Sequence, residues 1–364
     1  MKNSMDEALE RLRGTGTEVA GGGDPNHGPM AAEALVALGR DDVVKKWVDR
    51  YRLRLDLLPA ASSPVTVDTW REALGDIGRI ADWVAFFRAQ LADDSWQAVF
   101  TDWIGRLLPG AISAGQHGLI RTAHAIRALE DAETPLRVEE LGVALAYWAG
   151  YYRQLPGVPR FAGELAFEHA LGQVPRIVRG NERRGLPREL VLGVIDLQPE
   201  FTAAVDRAIE PESVEDAISA LTEAGARLYL SYATRHPLGL LHTVTGPAAL
   251  RLLLPHLPVA LHKTALAYVW QAVAAMTAMY ADESAANRDE PASPPQSEIV
   301  ERSIETDDPH AIKFVEACIR EFRRNPRPVY LAAAHDWATR LHQARNWSDA
   351  QRVAAGIAIG AKGV

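Results

Sequence analysis

Thr264-Ala265-Leu266-Ala267-Tyr268-Val269-Trp270-Gln271-Ala272-Val273-Ala274-Ala275-Met276-Thr277-Ala278-Met279-Tyr280-Ala281 is the longest uncharged run of the helical patterning in this chain. It carries no formal charge and is about long enough to cross a bilayer. It is also rich in alanine and holds Gln271 and two threonines, with His262 and Lys263 before it and Pro258 upstream. A helix that is apolar on every side can equally be the interior of a large protein. The stretch is therefore expected as a buried central helix rather than a membrane span.

Helical patterning continues on both sides of it. Upstream, helices are expected over Met30–Gly39, Asp41–Tyr51, Asp68–Gly75, Arg79–Ala92, Trp96–Leu108, Gly118–Ala132 and Val138–Gln154. Pro187–Asp196, Pro199–Ile209, Ser213–Tyr232 and Pro247–Leu254 follow, and His310–Arg323 and Pro328–Asn346 lie downstream. Few segments alternate with period two, so an all-α fold is expected. The chain shows no internal repeat, which argues against a solenoid. Two segments lack a regular pattern. The first is Gly14–Pro29, with Gly21-Gly22-Gly23; residues 1–26, of which Met1–Arg13 is charged and helical in pattern, are expected as a flexible N-terminal arm, and 282–308, rich in proline, serine and charge, as a loop or a lid. No boundary splits the chain, so residues 1–364 are expected as one large helical domain.

Composition narrows the function. A chain of 364 residues with 48% hydrophobic residues can bury a substantial core. Its net charge is −8 and it has no long basic run, which argues against nucleic acid or an anionic membrane as partner. The single cysteine, Cys318, forms no internal disulfide, fits a reducing cytoplasm, and excludes Cys-rich zinc and iron–sulfur motifs. Gly14-Thr15-Gly16 is followed by Val19 where a dinucleotide fingerprint needs glycine. There is no P-loop, His-Glu-x-x-His, Gly-x-Ser-x-Gly or Glu-x-x-His.

What remains is a set of histidines at loops and helix starts. His27 lies in Asn26-His27-Gly28-Pro29, a loop bounded by glycine and proline. His117 and His124, two turns apart, share a helix face with Arg121, which reads either as a metal or anion site or as a polar face. His242 precedes the helix break expected at Gly246-Pro247, and taken alone it reads better as a core histidine. His310 and Lys313 are three apart behind the cap Asp307-Asp308-Pro309, in a largely apolar helix start. A buried ammonium is costly unless it pairs or deprotonates, and a neutral lysine amine can take up carbon dioxide to form a metal-binding carbamate. The bland reading of this segment is a capped helix with an exposed lysine. Four imidazoles from distant segments form a metal site only if the fold gathers them.

Taken in order, Asn26–Ala31, His117–Ala125, Leu145–Ala149, His242–Pro247 and His310–Lys313 resemble the questin oxidase-like family, with the likeness running from about residue 24 to about residue 340. The resemblance implies a largely helical oxygenase acting on anthraquinones and related polycyclic aromatic ketones. The reaction it implies is oxidative ring cleavage or a Baeyer–Villiger-type oxidation using dioxygen. It further implies one non-haem ferrous ion, with His27, His117, His242, His310 and carboxylated Lys313 as ligands and with Arg121 and His124 beside them. An NADPH requirement is also attached to the family, although no nucleotide motif stands in this chain. Two other readings start from the same residues: a metal-dependent hydrolase with a carbamylated lysine, and a helical ligand-binding protein without catalysis.

Overall fold

The computed structural model describes residues 3–177, 193–196, 198–281 and 293–357. These are overwhelmingly helical, with a single two-stranded sheet among the described residues. No helix among them is long and apolar enough to cross a membrane. They group into two compact units, one of the described residues up to 154 together with 252–261, the other of the described residues from 155 to 251 and from 262 onward. The helical pattern runs on without a mark at this division.

The first unit holds α1 (Ser4–Leu12), α2 (Gly28–Ala37), α3 (Asp41–Tyr51), α4 (Ile80–Asp93), α5 (Trp96–Leu107), α6 (His117–Asp131) and α7 (Pro135–Gly150). Helix α7 is its core. Thr134 caps its first turn by accepting from the Arg137 N–H, and Pro135 occupies a position where no amide donor is needed. The run Leu141 to Gly150 is buried except for Val143, and α1, α4, α5 and α6 all pack on α7. Trp83, Phe86, Phe87 and Trp103 form an edge-to-face cluster between α4 and α5. Burial of side chains this large contributes about 2–3 kcal/mol each.

Two expectations fail here. Residues 3–26 are not a flexible arm. Asn3 caps α1, which buries Met5, Ala8, Leu9 and Leu12. Strand β1 (Thr15–Val19) then pairs antiparallel with β2 (Leu55–Leu57). The sequence between Gly14 and Pro29 therefore contains regular structure that its glycines conceal.

The second unit holds α8 (Val214–Tyr232), α9 (His242–Leu253, of which the last two residues group with the first unit), α10 (His262–Tyr280), α11 (Gln296–Glu305), α12 (Pro309–Arg324) and α13 (Pro328–Gln343). Helix α10 is the buried helix expected from its sequence, with Ala265, Leu266, Val269, Trp270 and Val273 fully covered. Its one interior amide, Gln271, donates to the Pro156 carbonyl at 3.0 Å, and the Trp270 N–H donates to the Val205 carbonyl at 2.9 Å. Helix α13 packs against α8, α11 and α12.

Two further expectations change. The segment 282–308 is not loop throughout, because Gln296–Glu305 is a helix that buries Ile299, Val300 and Ser303. Residues 282–292, like most of the expected helix Pro187–Asp196, lie outside the described residues. Helix α9 starts at His242 and runs through Pro247 instead of starting there. Proline so close to a helix start removes only one backbone bond, which packing can offset.

Candidate metal-binding histidines

In the first unit His27 stands immediately before α2, with Pro29 in the first turn. Asn26 fixes the approach: its side chain donates to the Gly16 carbonyl at 2.8 Å and accepts from the Gly28 N–H at 2.9 Å. The His27 N–H donates to the Tyr51 hydroxyl at 2.8 Å. Tyr51 is stacked on Trp47, and burial pushes its phenol upward, so it stays a neutral acceptor. The His27 ring is fully buried, and its Nε2 lies 3.3 Å from Asp24 Oδ1.

His117 is the first residue of α6 and follows a tight turn. Ala114, Gly115 and Gln116 have φ of 51°, 66° and 71°, so two non-glycine residues are held in the left-handed region. Such residues cost roughly 1–3 kcal/mol each and persist where surrounding structure enforces them. Here the turn brings the Ala114 carbonyl back to His117 Nδ1 at 2.7 Å. A ring nitrogen that close to a carbonyl oxygen carries the proton, which leaves the lone pair on Nε2 for a metal. The His27 and His117 rings meet edge to face, with centroids 4.8 Å apart. Each offers a nitrogen within 4.8 Å of the other's. Gly118 is required next: a Cβ there would lie 2.6 Å from Trp148 Cγ. The Trp148 N–H in turn donates to the Gly110 carbonyl at 2.9 Å, which anchors the turn before His117.

Farther along α6, Arg121 and His124 face carboxylates. Arg121 makes a two-pronged pair with Glu140, with Nε at 2.7 Å and Nη2 at 3.0 Å. His124 Nδ1 lies 2.6 Å from Glu33, which also receives Arg127 Nε at 2.6 Å. Burial pushes the Glu33 carboxyl up, but Arg127 and His124 together outweigh it and hold the group below its usual range. Glu33 and Glu140 carry no motif in the sequence. They were missed because the first lies 91 residues from its histidine and the second 19 from its arginine.

In the second unit His242 opens α9 with its ring buried, and its Nδ1 lies 3.0 Å from the Leu238 carbonyl. Its neighbour Thr243 bonds the Leu240 carbonyl at 2.7 Å, and Gly225 allows the close approach of α8, since a Cβ there would meet Thr243 O at 2.4 Å. His310 lies in the first turn of α12. Asp308 caps that helix, accepting from the His310 and Ala311 N–H groups at 2.8 and 3.4 Å, and its Oδ1 is 3.4 Å from His310 Nδ1. Burial raises the Asp308 carboxyl, yet its contacts with His310 and the helix start more than compensate and hold it below the usual range. The His242 and His310 rings lie 6.1 Å apart at 75°. Lys313, one turn on, is 4% exposed, and α12 is buried without a break from Pro309 to Ile319.

The structure thus brings His27 together with His117, and His242 together with His310. His117 and His242 each turn Nδ1 to a backbone carbonyl within hydrogen-bond distance, which leaves Nε2 as the metal-binding nitrogen, and His310 Nδ1 lies 3.4 Å from Asp308 Oδ1. His27 departs from this, because its Nε2 faces Asp24 and a proton held there leaves Nδ1 as the donor. No family model matches the chain, and no curated protein matches it either.

Proposed function

We propose that the chain is a questin oxidase-like, non-haem iron oxygenase that opens or inserts oxygen into an anthraquinone-like aromatic polyketide. His27, His117, His242, His310 and carboxylated Lys313 hold one ferrous ion in this reading. The observation that carries it is the orientation of the buried His117 and His242 rings, each held through Nδ1 by a backbone carbonyl, with His310 Nδ1 3.4 Å from the Asp308 carboxylate. Core histidines need no such shared arrangement, whereas metal ligands use it to set tautomer and ring direction.

The donor set fits iron: imidazoles with one carboxylate-like oxygen suit a ferrous ion. Bound iron would supply the one-electron chemistry that lets dioxygen react with an electron-rich phenol. Lys313 is buried, and a buried lysine is stable only when paired or deprotonated. Its amine adds carbon dioxide, releases a proton and becomes a carbamate anion. Arg121 and His124, each on a carboxylate, keep α6 rigid against α7 and α2 and so keep His117 in place. NADPH enters as an external reductant, and the setting is the cytoplasm and secondary metabolism, with dioxygen and a small aromatic molecule as partners.

The test is dioxygen uptake by protein loaded anaerobically with ferrous iron and given 1,8-dihydroxyanthraquinone, with and without NADPH. Uptake matched by an oxygenated product in mass spectrometry supports the reading. Iron-loaded protein that consumes no dioxygen with any polycyclic phenol or quinone contradicts it. Tight zinc or nickel with ester or amide cleavage would favour a hydrolase instead.

A further inference from the structure

We propose that a cleft in the first unit seats the aromatic substrate, and that Arg121 receives its carbonyl or phenol oxygen. The substrate class rests on the reading above; the seat does not. The cleft measures about 790 Å³, a size usual for small-molecule sites, and Val84, Leu91, Val138 and Val143 give it apolar walls from α4 and α7. A smaller cavity of about 50 Å³ shares Val84 and Val143 with it and is lined by Pro29 and Arg121. Pro29 stands two residues after His27, and Arg121 one helical turn after His117. The smaller cavity therefore touches both helix starts that carry the histidine pair.

Arg121 is 3% exposed. Its Nε and Nη2 are used by Glu140, while Nη1 is buried with no hydrogen-bond partner among the described residues. Buried donors are almost always partnered, so this one calls for an oxygen acceptor, which a ligand entering the cavity would supply. Glu140 already balances the guanidinium charge, and Glu139 pairs with Arg13 and Arg88 at the cleft. A multiply charged anion gains little there. A ketone, phenol or phenolate on a flat apolar ring meets both demands: the rings fill the larger cleft and one oxygen enters the small cavity.

The experiment is a titration of metal-free protein with 1,8-dihydroxyanthraquinone, followed by tryptophan fluorescence and calorimetry. Wild type is expected to bind one molecule saturably. Leu91→Trp, which fills the cleft and leaves every ion pair intact, and Arg121→Lys are each expected to weaken binding at least tenfold. If Arg121→Lys does not fold, Leu91→Trp decides alone. No saturable binding to wild type, or equal binding to Leu91→Trp, overturns the proposal. Iron content measured on the same preparations separates the two ideas: bound iron without quinone binding removes the cleft and leaves the iron site standing, and the reverse removes only the iron.

Discussion

The two histidine pairs are held by different means. His310 and His242 are fixed locally, the first by a cap two residues away and the second by a carbonyl four residues back. His27 and His117 depend on distant groups as well: the Tyr51 hydroxyl, 24 residues from His27, and Trp148, whose indole anchors the Gly110 carbonyl 38 residues earlier. A pair fixed within one helix start responds to substitution of its own cap. A pair fixed at turns responds to packing far off in sequence.

The largest effect should follow from Trp148→Ala. Removing a buried tryptophan costs about 3–5 kcal/mol, and here it also releases the turn ahead of His117. Urea unfolding measures it, and a loss below about 1 kcal/mol would break the claim that packing holds the first pair. Gly118→Ala comes next. Its methyl group would press on Trp148, at a cost of about 1–3 kcal/mol, and metal affinity should fall with stability. Equal stability and affinity in wild type and variant would show that α6 and α7 tolerate more separation than described.

Asp308 probes the second pair. Asparagine caps helices as well as aspartate, whereas alanine loses about 1 kcal/mol. Asp308→Asn should therefore keep its stability and Asp308→Ala should not. Both should bind metal roughly 10–100-fold more weakly, because both remove the carboxylate beside His310 Nδ1. Unchanged metal affinity in Asp308→Asn would make Asp308 a helix cap and nothing more. The smallest effect concerns acid. Glu33 is held below its ordinary range, so its stabilisation is complete above the unfolded value and is lost as pH falls through the folded one. Wild type should lose stability as pH falls below about 4 to a degree that Glu33→Gln does not. Parallel acid profiles would deny Glu33 that role.

Much of the helical framework is legible in the residues. The all-round apolar run from Thr264 to Ala281 becomes α10 and Asp308-Pro309 caps the helix it precedes, whereas the helix expected from Val138 starts at Pro135 behind Thr134. What escapes has physical causes. The strand Thr15–Val19 is short and edged by glycines, and its partner lies about 40 residues on. Helix α11 follows a proline- and serine-rich stretch whose composition hides it. Pro247 marks a break that one lost hydrogen bond does not enforce. At the site, the histidines stand out because imidazole is rare and chemically versatile. Their partners do not: Tyr51 and Glu33 acquire meaning only through tertiary contact, although the Ala114 carbonyl and Asp24 each lie just three residues before their histidine.

The proposed function puts a ferrous ion on these histidines. Elemental analysis of protein purified without added metal, for wild type, His117→Ala and His242→Ala, tests it most directly. Close to one iron per wild-type chain is expected, and almost none in either variant, each remaining folded by circular dichroism. Iron kept in full by one variant, or wild type that stays metal-free after anaerobic ferrous loading, would contradict it.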